Sequence, residues 1–212
     1  MAEFPSANTP ITQPYVLVVE GHEDRFFFEA FINYLGLQKI QIFPIGGKTE
    51  LRKHLSTLRI TPGHENMVSL GVVRDADLNP ASAFQSVCDA LRGAGFSTPI
   101  RPLVTAGERP QVTIMILPAE DIKGMLEDVC LMSVTGDPAM HCVEQYFQCL
   151  QEREIPLPQN MSKAKVEVFL ASREIAGKRL GEAAQARYWP FADNAFDLMR
   201  HFLKQVCSRT DV

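Results

Sequence analysis

Tyr15-Val16-Leu17-Val18-Val19-Glu20-Gly21-His22-Glu23-Asp24 and Leu70-Gly71-Val72-Val73-Arg74-Asp75-Ala76-Asp77-Leu78-Asn79-Pro80 are the stretches that decide the fold. Each opens on an apolar, largely β-branched run, the pattern of a strand buried on both faces of a parallel sheet. Each then ends in carboxylates and passes into a helical pattern. After the first, Phe27, Phe31 and Leu35 recur on one stripe with Phe28 and Ile32 beside it, and Gly36 supplies the stop. After the second, Pro80 takes a favoured first-turn position in a helix carrying Phe84, Val87, Cys88 and Leu91.

Between these stretches, Lys39 to Pro44 reads as a strand and Gly46-Gly47-Lys48 as a turn. Thr49 and Glu50 then open an amphipathic helix through Leu51, Leu55 and Leu58, and Met67 to Val73 forms the next strand. Successive βα units predict a parallel sheet with right-handed crossovers, whose strand C-termini share one edge. Pro99 to Thr105 and Gln111 to Leu117 are expected as two further strands joined in a hairpin, giving the sheet a mixed edge. Helices are expected over Ile122 to Leu131, Ala139 to Arg153, Ser162 to Ser172 and Ala192 to Val206.

The predicted fold class is α/β, a mostly parallel sheet flanked by helices with a C-terminal helical extension. A flexible arm is expected over 1–14, which carries Pro5, Pro10 and Pro14, then an α/β domain over 15–153 and a helical extension over 154–212. The boundary falls in the Pro-rich, polar stretch Glu154 to Asn160.

With 212 residues, 46% hydrophobic and 22% charged, the chain has the composition of a globular protein with one substantial core. A net charge of −4 argues against coating nucleic acid by bulk electrostatics and leaves room for a local basic strip. The five cysteines are odd in number and lack Cys-x-x-Cys spacing, which speaks against a disulfide framework or structural zinc. No apolar run approaches the roughly 18–20 residues that span a bilayer. With no charged-then-apolar leader, a cytoplasmic protein without a membrane partner is expected.

If the first and third strands are neighbours, as in a 2-1-3 order, Glu20 faces Asp75 and Asp77 across the switch point where such sheets bind ligands. Asp75 and Asp77, one residue apart, are expected to leave the same face of the strand end, and Asp24 to fold back over the crevice. Clustered carboxylates suit Mg²⁺, a hard cation that takes one or two of them and leaves its other positions to water or phosphate. Taken singly, Asp24 and Asp77 also fit helix N-caps. Glu20, at the end of an apolar strand, is not explained by capping.

Glu20-Gly21 after one strand and Asp75-x-Asp77 after a later one resemble the Toprim domain shared by topoisomerases, primases and OLD-type nucleases. The longer form Val19-Glu20-Gly21-x-x-Asp24, followed by an aromatic-rich helix, is more similar to the OLD branch and to small uncharacterised bacterial Toprim-like proteins. The resemblance covers about residues 15–130. It implies a Rossmann-like Toprim fold with Glu20 as general acid/base or metal ligand, and with Asp75 and Asp77 holding Mg²⁺, for which Mn²⁺ could substitute. It also implies Asp24 as the extra acidic residue of that branch. Glu127, in a Leu-Pro…Gly-x-Leu-Glu stretch like the family's, is implied as a further ligand, though it also fits an ordinary helix surface. Leu78-Asn79-Pro80 stands where topoisomerases and primases carry a glycine, so strand passage and primer synthesis are not expected.

Positive groups that could contact a phosphate are Lys163, read as catalytic, and Lys165, although both also fit a solvated helix start. Lys48 follows two glycines, but a lone Gly-Gly-Lys is not a Walker motif. Arg187, beside Tyr188 and Trp189, fits either base stacking or a staple against the core. His22 could assist Glu20 or simply face solvent.

The leading expectation is a Mg²⁺-dependent phosphoryl-transfer enzyme on nucleic acid, DNA ahead of RNA, most simply an endonuclease. The resemblance implies a separately encoded ATPase partner. A receiver-like signalling domain is the first alternative, but it requires paired acids right after the first strand and a late Lys-Pro, which are missing. A non-catalytic Toprim-like binding module is the second.

Overall fold

The computed structural model describes residues 9–47 and 50–208. Over these the chain runs β1 (Tyr15–Val19), α1 (His22–Tyr34), β2 (Ile40–Pro44), α2 (Leu51–Ile60), β3 (Ser69–Asp75), α3 (Pro80–Gly93) and β4 (Gln111–Leu117). There follow α4 (Leu126–Ser133), α5 (Pro138–Glu152), α6 (Met161–Ala171), α7 (Leu180–Gln185) and α8 (Asp197–Cys207). The strand order is β2-β1-β3-β4, and each neighbouring pair is parallel. No helix among the described residues is long and apolar enough to cross a membrane.

Strand alternation divides the core into two layers. Leu17, Val19, Val73, Met115 and Leu117 face one cluster, shared with α1, α4, α6 and α8. Val16, Val18, Leu70, Val72, Val112, Ile114 and Ile116 face the other, closed by Leu51, Leu55 and Leu58 of α2 and Val87 and Leu91 of α3. A parallel sheet needs both faces covered, and here the helices beyond residue 154 supply much of one cover. Phe169, Trp189, Phe196, Phe202 and Val206 belong to the same cluster as the strand residues.

Several segments differ from the expectation. Pro99 to Thr105 is a loop, so the sheet has no hairpin and its described edge is parallel. Pro99 and Pro102 lack N–H donors and Leu103 sits at φ 58. The segment is tied to β4 mainly by the Leu103 N–H to the Ile114 carbonyl and by an isolated Ala106–Val112 bridge. The helix expected from Ile122 begins at Leu126, because Gly124 adopts φ 140 and pairs with Asp77. The helix α7 and the 3-10 turn Asn194–Phe196 occupy stretches where no helix, or a continuous one, was expected. Of the arm expected over 1–14, residues 1–8 lie outside the described residues. Ile11 is buried, and its N–H donates to the Pro62 carbonyl.

The approach of α8 to the sheet is set by Gly71 in β3. A Cβ there would stand 2.9 Å from Phe202 Cζ and from Val206 Cγ2, and 3.0 Å from Leu17 Cδ1. Gly71→Val is therefore expected to destabilise the fold by about 1–3 kcal/mol through overpacking. Urea unfolding measures this, and an unchanged midpoint would contradict such close docking of α8.

Candidate functional site

Because β1 and β3 are neighbours in register, their C-terminal ends lie side by side. Glu20 follows Val19 directly. Its Oε1 accepts from Arg74 Nη1 and from the Asp75 N–H at 3.2 Å. Arg74 lies in β3 on the face opposite Val73 and Asp75, and its side chain is 8% exposed. A charge so buried requires a partner, and Glu20 provides it. Arg74 Nη2 also lies 3.9 Å from Asp77 Oδ2.

Asp77 does not share a face with Asp75, contrary to expectation. It adopts φ 50, and its N–H and carbonyl pair with Gly124 at 2.9 Å each. The left-handed residue turns the chain out of strand geometry, so the two-residue alternation stops before Asp77. Asp75 faces the start of α4, where its Oδ1 accepts from the Leu126 N–H at 3.1 Å.

Asp24 stands in the first turn of α1, and its Oδ2 accepts from the Gly21 N–H at 2.8 Å, so it closes the helix start as well as facing the crevice. Glu127, in the first turn of α4, is 16% exposed at its side chain and lies 3.8 Å from Lys163 Nζ. Asp128 holds α4 in place: it accepts from the Met125 N–H at 2.8 Å and from Ser162 Oγ at 2.6 Å on α6.

Glu20, Asp24, Asp75 and Glu127 thus line one cleft of about 910 Å³, with Lys163, Lys178 and Arg179 among its other walls. Burial pushes all four carboxyls up. For Asp75 the rise is large, with burial reinforced by Asp24, Glu20 and Glu127. For Glu20, Arg74 opposes the rise and Asp24 and Asp77 add to it. For Asp24 and Glu127 burial again leads, and Lys163 pulls each back. Four hard oxygen donors that repel one another in a desolvated cleft are a chemical match for a divalent cation. Among the described residues no three His, Cys, Asp or Glu side chains already stand as an ion-holding group, so binding would draw the carboxylates together.

Not every expected residue reaches the cleft. Lys163 does, whereas Lys165 is held by Glu144 on α5 at 2.6 and 2.9 Å. Arg187, at φ 61, lines a different groove with Tyr34 and Trp189. The Trp189 ring is buried, stacks on Phe169 and donates to the Leu180 carbonyl at 3.1 Å, so it belongs to the core. His22 borders the cleft. Lys48 lies outside the described residues.

Sequence reading passed over Arg74, Asp128, Lys178 and Arg179. Arg74 carried a signal, a lone charge inside an otherwise apolar strand. Asp128 carried none while the helix was expected from Ile122, because its capping position depends on the start at Leu126. Lys178 and Arg179 carried none, because the turn before α7 brings them in from the far end of the chain.

The chain belongs to the family described as Protein of unknown function (DUF3226), whose model matches residues 14–208. No curated protein matches it by sequence. Among solved structures, the C-terminal region of the Burkholderia pseudomallei OLD protein is similar, with a TM-score of 0.54 and 16% identity over 93% of this chain and 98% of that one. At that identity the likeness is one of fold: an α/β, Rossmann-like Toprim arrangement of a parallel sheet flanked by helices.

The raised Asp75 carboxyl has a consequence for stability. Between its ordinary range and its folded value, the folded chain holds a proton that the unfolded chain has released, so stability falls as pH rises through that window. Asp75→Asn removes the charge and can keep the bond from Leu126. Without metal, it is expected to raise the melting midpoint at neutral pH by about 2–4 °C, the shift that roughly 1 kcal/mol produces in a chain of this size. The gain should shrink toward pH about 4, where free carboxyls protonate. A variant less stable than wild type at neutral pH would contradict a repulsive carboxylate cluster.

Proposed function

We propose that this DUF3226 protein is a Mg²⁺-dependent phosphoryl-transfer enzyme acting on nucleic acid, an OLD/Toprim-type endonuclease that works with a separately encoded ATPase. The observation that carries the reading is the gathering of Glu20, Asp24, Asp75 and Glu127 in one cleft with Lys163 opposite. Such a constellation suits a reaction that needs little covalent help from the protein and much positioning of charge. The shared fold with the C-terminal region of an OLD protein supports the same direction.

Asp24, Asp75 and Glu127 would hold the ion, which when bound supplies positive charge to phosphate oxygens and lowers the pKa of a water nucleophile. The residues of the chain divide the remaining work. The Leu126 N–H fixes one oxygen of Asp75, and the Gly21 N–H fixes one of Asp24. Lys163, 59% exposed at its side chain, has the freedom to leave Glu127 for a phosphate. Glu20, held through Oε1 by Arg74 and the Asp75 N–H, lines the cleft and would take or give a proton. Lys178 and Arg179, which line the cleft beside Glu23 and Glu167, would contact the phosphates of a nucleic-acid backbone, with DNA the first substrate to try.

Nicking of supercoiled plasmid in Mg²⁺ or Mn²⁺ tests this. Wild type should cleave, chelator should abolish cleavage, and Asp75→Asn and Glu20→Gln should each lower the rate by about 10²-fold or more. Lys163→Ala should lower it similarly, by about 10²-fold. Wild type no more active than Asp75→Asn, with and without an ATPase encoded beside it, would leave a binding module in place of an enzyme.

A further inference from the structure

A groove of about 660 Å³ opens between α1 and α7, away from the carboxylates, bordered by Asn33, Tyr34, Gln185 and Arg187. The two helices run alongside one another from the cleft. The Gly181 N–H donates to Glu23 Oε2 at 3.0 Å at the cleft end, and Ala30 and Ala184 border the groove further on. Glu23, which lines the cleft, and Asn33 stand ten residues apart on α1, about 15 Å along the helix axis.

Tyr34 gives the groove an aromatic wall. Its ring lies nearly parallel to Phe31, at 9° with centroids 6.4 Å apart, and 5.6 Å from Phe191, yet the residue is 54% exposed. The core braces the inner side of the ring and the rest is open to solvent, as a stacking platform requires. Side chains able to read the edge of a flat heterocycle stand beside it. The Asn33 and Gln185 amides each offer donors and an acceptor, and neither side chain is engaged in a hydrogen bond among the described residues. Glu29 also borders the groove, and Arg25 neutralises it at 2.7 Å.

Arg187 supplies the charge. It follows the C-cap of α7 at φ 61, a position that favours glycine and strains an arginine. Its guanidinium is exposed and has no ion-pair partner among the described residues. It would repel a cation approaching the face of Tyr34, whereas a planar ring that carries an anion suits both groups.

We propose that this groove is a nucleotide site separate from the cleft, in which an unpaired base lies against Tyr34, Asn33 and Gln185 meet its polar edge, and Arg187 takes the attached phosphate. A free mononucleotide and an unpaired nucleotide of a strand share this chemistry. Continuity with the cleft favours the strand. Gly177 and Lys178 border both the cleft and a shallow groove of about 560 Å³, and Gln185 borders both that groove and the nucleotide site. The strand assignment rests on the nucleic-acid reading above; the nucleotide site does not.

Calorimetric titration in EDTA, where no cleavage is read, tests the site with two probes, octathymidylate and thymidine monophosphate. Wild type should bind octathymidylate the more tightly; a mononucleotide bound as tightly overturns the strand assignment and makes the free nucleotide the occupant. Tyr34→Leu keeps an apolar cover on Phe31 without an aromatic face. It should weaken binding by about fivefold or more, and Tyr34→Phe should bind as wild type does. Arg187→Gly relieves the backbone, so it should melt no lower than wild type while binding more weakly. Affinities unchanged in Tyr34→Leu or Arg187→Gly, or no binding of either probe to wild type, overturn the nucleotide site. Metal-dependent nicking by the same wild type would then leave the reading of the cleft standing, and binding through Tyr34 without nicking would leave the nucleotide site standing alone.

Discussion

A carboxylate taken out of water must be given a partner, and this fold takes four of them out of water in one cleft. Each is met by a different device. Glu20 has the Arg74 guanidinium and a strand N–H, and Asp75 has the first N–H of α4. Asp24 has the N–H of Gly21, and Glu127 has Lys163 nearby. Apart from the exposed Lys163, these partners are fixed dipoles or anchored charges, so they limit the repulsion without abolishing it. The unrelieved remainder is what the proposed cation would neutralise.

That arrangement ties the site to the whole chain. The sheet aligns Glu20 with Asp75 only because β1 and β3 are parallel neighbours. The α4 start that receives Asp75 is held against α6 through Asp128 and Ser162. The turn bringing Lys178 and Arg179 to the cleft leads into α7, which is anchored on α1 by the Gly181 N–H donating to Glu23 at 3.0 Å. The C-terminal helices and turns therefore serve twice, covering one face of the sheet and bringing Lys163, Glu167, Lys178 and Arg179 to the cleft.

Much of this was legible in the sequence. The strands β1 and β3 and the helices after them announced themselves by a switch from apolar, largely β-branched runs to a helical stripe, and Glu20, Asp24 and Asp75 stood at the switches. The parts that escaped depend on single backbone states or on distant contacts. Asp77 looked equivalent to Asp75 until its left-handed φ turned it toward Arg74. Pro99 to Thr105 had the composition of a strand, but two prolines and Leu103 prevent a ladder. Lys165 and Lys163 read alike on paper, and only the packing of α6 on α5 shows that Lys165 is engaged with Glu144.

The cleft between the ends of β1 and β3 is proposed as a divalent-metal site. Anomalous diffraction at the manganese edge, from crystals of the chain grown with Mn²⁺, tests it most directly. The account predicts a peak bounded by Asp24, Asp75 and Glu127. Manganese confined to solvent-facing carboxylates such as Glu65 or Asp89, with none in the cleft, would contradict it.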